Sequence, residues 1–150
     1  MAGVEWIKLY TNIVDHPKIN SLRRLDNGNE IVFVWIMLLA LAGRCNSDGR
    51  IFVTDGVPYS LAGLAYDLRL DKDFLADALE AMENRGMIST GVKEFPLLEL
   101  TIKNWEKYQS TERLAELKEK DKLRKREERK LKKQMSTDSP RTVHGQSNNR

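Results

Sequence analysis

Residues Ser60–Ile102, SLAGLAYDLRLDKDFLADALEAMENRGMISTGVKEFPLLELTI, carry the pattern that decides the fold. Leu61, Leu64, Ala65 and Leu68 recur at helical spacing, which predicts an amphipathic helix over Leu61–Leu68 with Ser60 as its N-cap. After a turn near Asp71, the residues Phe74, Leu75, Ala78, Leu79 and Met82 mark one face of a second helix, Lys72–Arg85. Asp71 is placed to cap it, Asp73 suits the positive end of its dipole, and Gly86 suits its C-terminal side. A strand starting at Met87-Ile88-Ser89, a loop over Thr90–Pro96 and a returning strand Leu97–Ile102 make a hairpin. Two helices joined by a turn and followed by a hairpin form a winged helix-turn-helix, with Asp71–Arg85 in the recognition-helix position and residues 87–102 as the wing.

The upstream residues fit the same layout. Arg50-Ile51-Phe52-Val53 is a short strand and Thr54–Pro58 a loop. The apolar run Ile31–Ala42, IVFVWIMLLALA, lies within a helix from about Glu30 to Arg44, expected to be buried on most sides and ended by Asn46-Ser47-Asp48-Gly49. At about 12 residues the run is short of the roughly 20 needed to span a bilayer, and it stands too far from the start for a signal peptide. Asp26-Asn27-Gly28-Asn29 is a turn cluster. Before it, Pro17 favours a first helical turn, so Asp15 or His16 could cap a helix reaching about Arg24. Residues 5–14, EWIKLYTNIV, alternate apolar and polar and suit a short strand or an extended lead-in. Asn104-Trp105-Glu106-Lys107-Tyr108-Gln109 closes the domain. The expected fold class is therefore mainly α with a small β wing.

Beyond Tyr108 no aromatic residue remains, and the charge changes sign. Met1–Thr111 holds 12 Lys and Arg against 15 Asp and Glu, a net charge of −3. Glu112–Met135 holds 11 against 6, a net charge of +5, and Ser136–Arg150 holds 2 against 1. The expected organisation is a folded domain over 1–111, a basic helical arm over 112–135 and a disordered polar tail over 136–150. Pairs such as Glu116–Lys120, Asp121–Lys125 and Glu128–Lys132 support a helix in the arm. Leu114, Leu117, Leu123 and Leu131 keep no clean heptad, which argues against a long coiled coil.

Several chemistries find no residues to carry them. One cysteine, Cys45, excludes an internal disulfide and a Cys-rich zinc site, and its apolar neighbours suggest a buried thiol. Neither histidine, His16 or His144, has the spacing partners of a metal site, and no Gly-rich loop ends in Gly-Lys-Ser/Thr. No enzyme, cofactor or metal is expected.

Five segments in order resemble the N-terminal domain of phage replisome organisers, relatives of DnaD-type primosome proteins. They are EWIKLYTNIVDHPKI (5–19), VWIMLLALAG (34–43), GRIFVTDGVPYSLAGLA (49–65), ALEAMENRGMI (78–88) and NWEKYQ (104–109). The resemblance implies a DNA-associated role in starting phage DNA replication inside the bacterial cytoplasm. It also implies assembly with copies of itself or with host helicase-loading or primosome proteins. Longer members of that family carry a further C-terminal domain; here a basic helix and a polar tail follow the wing.

Nucleic acid, if bound, is expected to meet the arm through Lys118, Lys120, Lys122, Arg124, Lys125, Arg126, Arg129, Lys130, Lys132 and Lys133, mostly at the phosphate backbone and in a salt-dependent way. Lys72, Arg85, Lys93 and Lys103 are the candidates in the winged-helix part. The recognition-position helix exposes Lys72, Asp73, Asp77, Glu80, Glu83, Asn84 and Arg85, and its four acids suit a solvated or protein-contacting face better than a major groove. Tyr59, Tyr66, Trp105 and Tyr108 could form an aromatic contact patch, although Trp105 and at least one tyrosine suit the core. A sequence-specific transcriptional regulator of winged-helix type is the rival function, and an adaptor that binds no DNA is a third.

Overall fold

The computed structural model describes residues 3–91, 97–109 and 111–137. The chain divides into two compact units, Met1–Arg113 and one beginning at Leu114. The first holds the core. Its helices are α1 (Pro17–Arg23), α2 (Gly28–Cys45), α3 (Leu61–Leu68) and α4 (Lys72–Asn84), and its strands β1 (Arg50–Thr54), β2 (Val57–Ser60), β3 (Ile88–Gly91) and β4 (Leu97–Ile102). A final helix, α5, runs over Thr111–Thr137.

Local chemistry explains the helix boundaries. His16 caps α1: its Nδ1 accepts the Lys18 backbone N–H at 3.2 Å, with Pro17 in the first turn. The Ser60 hydroxyl accepts the Gly63 N–H at 3.0 Å to start α3. The Asp71 carboxylate accepts the Phe74 N–H at 3.0 Å to start α4. Asn46 ends α2 in the left-handed conformation, and Gly86, at φ +66, takes the chain from α4 towards β3.

The sheet is antiparallel, in the order β1-β2-β4-β3, with β4 also reaching β1. Along one edge of β4, Tyr59 and Ser60 of β2 face Leu98 and Leu97, and then Arg50 and Ile51 of β1 face Thr101 and Leu100. The other edge pairs with β3 from Ile88–Ile102 to Gly91–Glu99. This hairpin packs beside α4, an arrangement compatible with a winged helix. Residues 92–96, which join its strands and include Lys93, lie outside the described residues. So do residues 138–150 of the disordered tail expected over 136–150, while its first two residues, Ser136 and Thr137, belong to α5 instead.

Two expectations need correction. Thr54–Pro58 is not a loop throughout: Val57–Ser60 is a strand, and Phe52 pairs with Pro58 in a β1–β2 hairpin. Nor is α2 buried on most sides. It spans 18 residues, long and apolar enough by length and composition to cross a membrane. Its Ile31, Val34, Trp35, Leu38, Leu39 and Ala42 belong to the core cluster with residues of α1, α3, α4 and the sheet. The opposite side exposes Phe33 at 56% and Ile36 at 38%, with Ala40 one turn further on.

The N-terminal residues form the extended lead-in rather than a strand, followed by a 3-10 turn at Thr11–Val14. The lead-in is pinned at both ends: the Val4 N–H donates to the Gly43 carbonyl at 3.2 Å and the Lys8 N–H to the Tyr108 carbonyl at 2.8 Å. Trp105 is buried in the core. Gly49, at φ +85, lies so close that a Cβ there would meet the Trp105 Cβ at 2.8 Å. The closing segment is thereby locked onto the turn after α2. Cys45 is half-buried, and its sulfur takes the Phe52 N–H at 3.3 Å and meets the Phe52 carbonyl at 3.4 Å, tying the end of α2 to β1.

Candidate nucleic-acid interface

Two surfaces hold the candidate residues, and each belongs to its own unit. In the first unit the recognition-position helix α4 turns Leu75, Ala78, Leu79 and Met82 into the core. Lys72, Asp73, Asp77, Glu80, Glu83 and Asn84 are exposed. Four carboxylates against one ammonium make that face acidic. Glu83 is also engaged: its carboxylate accepts the Thr90 hydroxyl at 2.7 Å and the Thr90 N–H at 3.2 Å, joining α4 to the wing strand β3.

Arg85 stands differently from expectation. It is half-buried. Its Nε donates to the Ser21 hydroxyl at 2.9 Å and one terminal nitrogen donates to the Ala81 carbonyl at 2.8 Å. The physical reason is the helix end: carbonyls of the last turn lack intrahelical partners, and a guanidinium beside them satisfies one. The same fork reaches α1, so the side chain bridges two helices. Ser21, its partner, carries no local signal that marks it.

Lys72 is exposed in the first turn of α4, and Lys103 is exposed just beyond β4. The Lys103 backbone N–H is held by the Met87 carbonyl at 3.1 Å, which positions the residue at the base of the wing. The aromatic residues do not make one patch. Tyr59 and Trp105 are buried, while Tyr66 on α3 is 84% exposed. Tyr108 is half-buried, edge-on to Trp35 with ring centres 5.9 Å apart, and 6.2 Å from Trp105. The Tyr59 hydroxyl donates to Asp67 at 2.8 Å, and burial together with this bond pushes its phenol up to about 12.

In the second unit, α5 is a continuous helix through all ten arm cations, and every one of them is exposed. Lys118, Lys122, Lys125, Arg129 and Lys132 alternate four and three residues apart, so they share one face of the helix. Carboxylates interleave with them. Asp121 pairs with Lys125 at 2.9 Å, as the spacing predicts, and also with Arg124 at 2.6 Å; Glu119 lies 3.9 Å from Lys122. The bonds from Lys125 and then Arg124 hold the Asp121 carboxyl below its ordinary value. Exposed pairs of this kind are weak, so they do not prevent a phosphate from competing for the cations. Leu123 and Leu131 are exposed.

A carboxylate-bearing helix beside the wing and a cation-bearing helix at the end of the chain offer different chemistry to a polyanion. Among the described residues, no group of three or more His, Cys, Asp or Glu side chains could hold a metal ion. No curated protein and no solved structure matches the chain. The family model of the N-terminal phage replisome organiser matches residues 6–130, which takes in the winged-helix elements and most of α5, and the chain belongs to that family.

Proposed function

We propose that this protein acts in the initiation of phage DNA replication as a DNA-associated assembly protein without a catalytic step of its own, inside the bacterial host. The helix α5 supplies phosphate-backbone contact, and the winged-helix unit supplies self-association and docking of host helicase-loading or primosome proteins. The observation that carries this reading is the separation of charge. The body to Thr111 is net −3 and exposes four acids on α4, whereas Glu112–Met135 is net +5. By net charge, a polyanion is attracted to the second more than to the first. The exposed apolar residues Phe33, Ile36 and Ala40 on α2 support association with a second copy, because such stripes are normally covered.

Binding of the whole chain and of residues 1–113 to labelled duplex and single-stranded DNA, across a salt series, tests the division of labour. Residues 1–113 form a compact unit with their own core. The expected result is loss of the steep salt-dependent affinity on truncation. Sequence-dependent binding retained by residues 1–113 would instead make α4 a reading helix and the protein a transcriptional regulator. An unchanged, weak affinity in both would leave an adaptor that does not use DNA.

A further inference from the structure

The acidic body contains one cavity of the opposite character. It has a volume of about 310 Å³ and opens between the lead-in, α1 and the segment that follows β4. Three aromatic side chains line it: almost wholly buried Trp35, exposed Tyr10 and half-buried Tyr108. Its polar walls include His16, Lys18, Lys103 and Lys107, and no Asp or Glu lines it. That is an unusual concentration. Residues 1–111 hold 12 Lys and Arg against 15 acids, yet three of those lysines meet here without an anion among them.

The side chains are held in ways that leave the cavity usable. His16 Nδ1 is occupied as the α1 cap, which puts the proton of the neutral ring on Nε2, a donor. Lys18 Nζ donates to the carbonyl of Gly86, another lining residue, at 3.5 Å. Lys103 and Lys107 are exposed and precede Tyr108, whose carbonyl accepts the Lys8 N–H at 2.8 Å. Burial, and next the neighbouring Tyr10, raise the Tyr108 phenol above its ordinary value, so at neutral pH the ring stays uncharged.

Aromatic rings beside ammonium groups suit a ligand that is itself aromatic and anionic. The volume sits at the small end of the roughly 300–1,000 Å³ typical of ligand pockets. That suits a single base with its phosphate rather than a length of strand. A base inside a duplex is stacked and paired and cannot enter, so the ligand must be unpaired.

We propose that this cavity binds one unpaired nucleotide unit, its base against Tyr10 and Tyr108 and its phosphate at Lys103 and Lys107. The assignment is independent of α5, which is proposed to contact phosphates of either strand form. Free mononucleotide and an unpaired position in DNA offer the same base and phosphate, and the experiment separates them.

The whole chain is photo-crosslinked to an eight-nucleotide oligo-dT carrying one 5-iododeoxyuridine, with and without millimolar dTMP. Adducts are mapped by mass spectrometry. Affinities for the oligonucleotide and for a duplex of equal length are measured for wild type, Tyr10→Ala, Lys103→Ala/Lys107→Ala and Lys103→Arg/Lys107→Arg. The expected result is an adduct on Tyr10, Trp35 or Tyr108. Tyr10→Ala should weaken oligo-dT binding by roughly tenfold, within the range of one lost base stack. The double alanine variant should flatten the single-strand salt slope by about 1, and the arginine pair should restore it. Duplex affinity should stay within about twofold of wild type, because a paired base does not reach the cavity. Loss of the adduct with dTMP makes free nucleotide a sufficient ligand; its persistence makes the strand the source. Adducts confined to residues 114–137, or a double alanine variant that binds oligo-dT as wild type does, would overturn the proposal and leave the role of α5 intact. Since the substituted residues are exposed, unchanged thermal melting is expected to accompany every variant.

Discussion

Neutralising one face of α5 should flatten the salt dependence of duplex binding far more than neutralising the other. Lys118, Lys122, Lys125, Arg129 and Lys132 share a face, and at 1.5 Å per residue they extend over about 21 Å. Duplex DNA carries one charge per about 1.7 Å of axis, so the number of cations, not of phosphates, limits the contacts. Five neutralised phosphates correspond to a slope of about −4.5 in a plot of log affinity against log salt. Between 50 and 200 mM salt, such a slope amounts to roughly a 500-fold loss of affinity. The bonds of Lys125 to Asp121 at 2.9 Å and Lys122 to Glu119 at 3.9 Å trim this only slightly, because exposed pairs are weak. Changing all five to Gln should therefore remove about 4 units of slope while circular dichroism shows the helix retained. Changing Lys120, Arg124 and Lys130, which point at least about 120° away, should remove less than 1. Fluorescence anisotropy at four salt concentrations measures both. Equal flattening by the two sets would mean that the arm is a diffuse cation cloud with no binding face. A wild-type slope in the five-residue variant would place the DNA contact elsewhere.

Three other outcomes follow from the body. Tyr59, raised from 10.0 to about 12 chiefly by burial and by its bond to Asp67, contributes stability that is complete below pH 10 and lost as the pH rises through 12. That shift is worth at most about 3 kcal/mol. Urea denaturation at pH 8 and 11.5 should show a smaller alkaline loss in Tyr59→Phe than in wild type, and equal losses would sink the assignment. Gly28→Ala should cost about 1–3 kcal/mol, because the added Cβ would press on the Leu22 carbonyl oxygen and stand 2.6 Å from the Arg23 backbone; an unchanged Tm would show that α1 and α2 can part. Arg85→Ala should lower stability by about 1 kcal/mol through loss of the bonds to Ser21 and Ala81. It should also leave any preference among DNA sequences unchanged in a competition assay, whereas a relaxed preference would mean that Arg85 reads bases.

Features written in adjacent residues were legible in the sequence. Ser60 and Asp71 cap their helices because a short oxygen-bearing side chain reaches an N–H three residues on. The bounds of α3 and β4 are those read from the sequence, α3 from its apolar spacing and the Ser60 cap, β4 from an apolar run that returns after a loop. What escaped depends on partners distant in the chain. β2 looked like loop because Gly56 and Pro58 punctuate it, yet its Tyr59 and Ser60 find hydrogen-bonding partners on β4. The exposed side of α2 escaped because an unbroken apolar run does not say which of its faces meets the core. Arg85 looked like a surface cation until Ser21 came beside it, and Lys18 and Lys107 show no common purpose until the fold brings them to the cavity that holds Lys103.

The acids of α4 bear on how a winged-helix layout can serve an assembly role. A helix in the recognition position approaches phosphates on both sides of a groove, and carboxylates on its exposed face are repelled by them. Asp73, Asp77 and Glu80 have that placement. Glu83 is drawn to the wing by Thr90, and Arg85 is drawn back to α1 by Ser21. These two bonds tie the C-terminal end of α4 to both of its neighbours, so the helix is held as a rigid acidic edge. Under the proposed function that edge is suited to a basic protein surface, and the layout keeps its geometry while its charge turns it from DNA to a partner. Reversing Asp77 and Glu80 to Lys should then weaken partner capture and strengthen nonspecific duplex binding in the same variant. A change that strengthened DNA binding but left partner capture untouched would remove α4 from the docking surface.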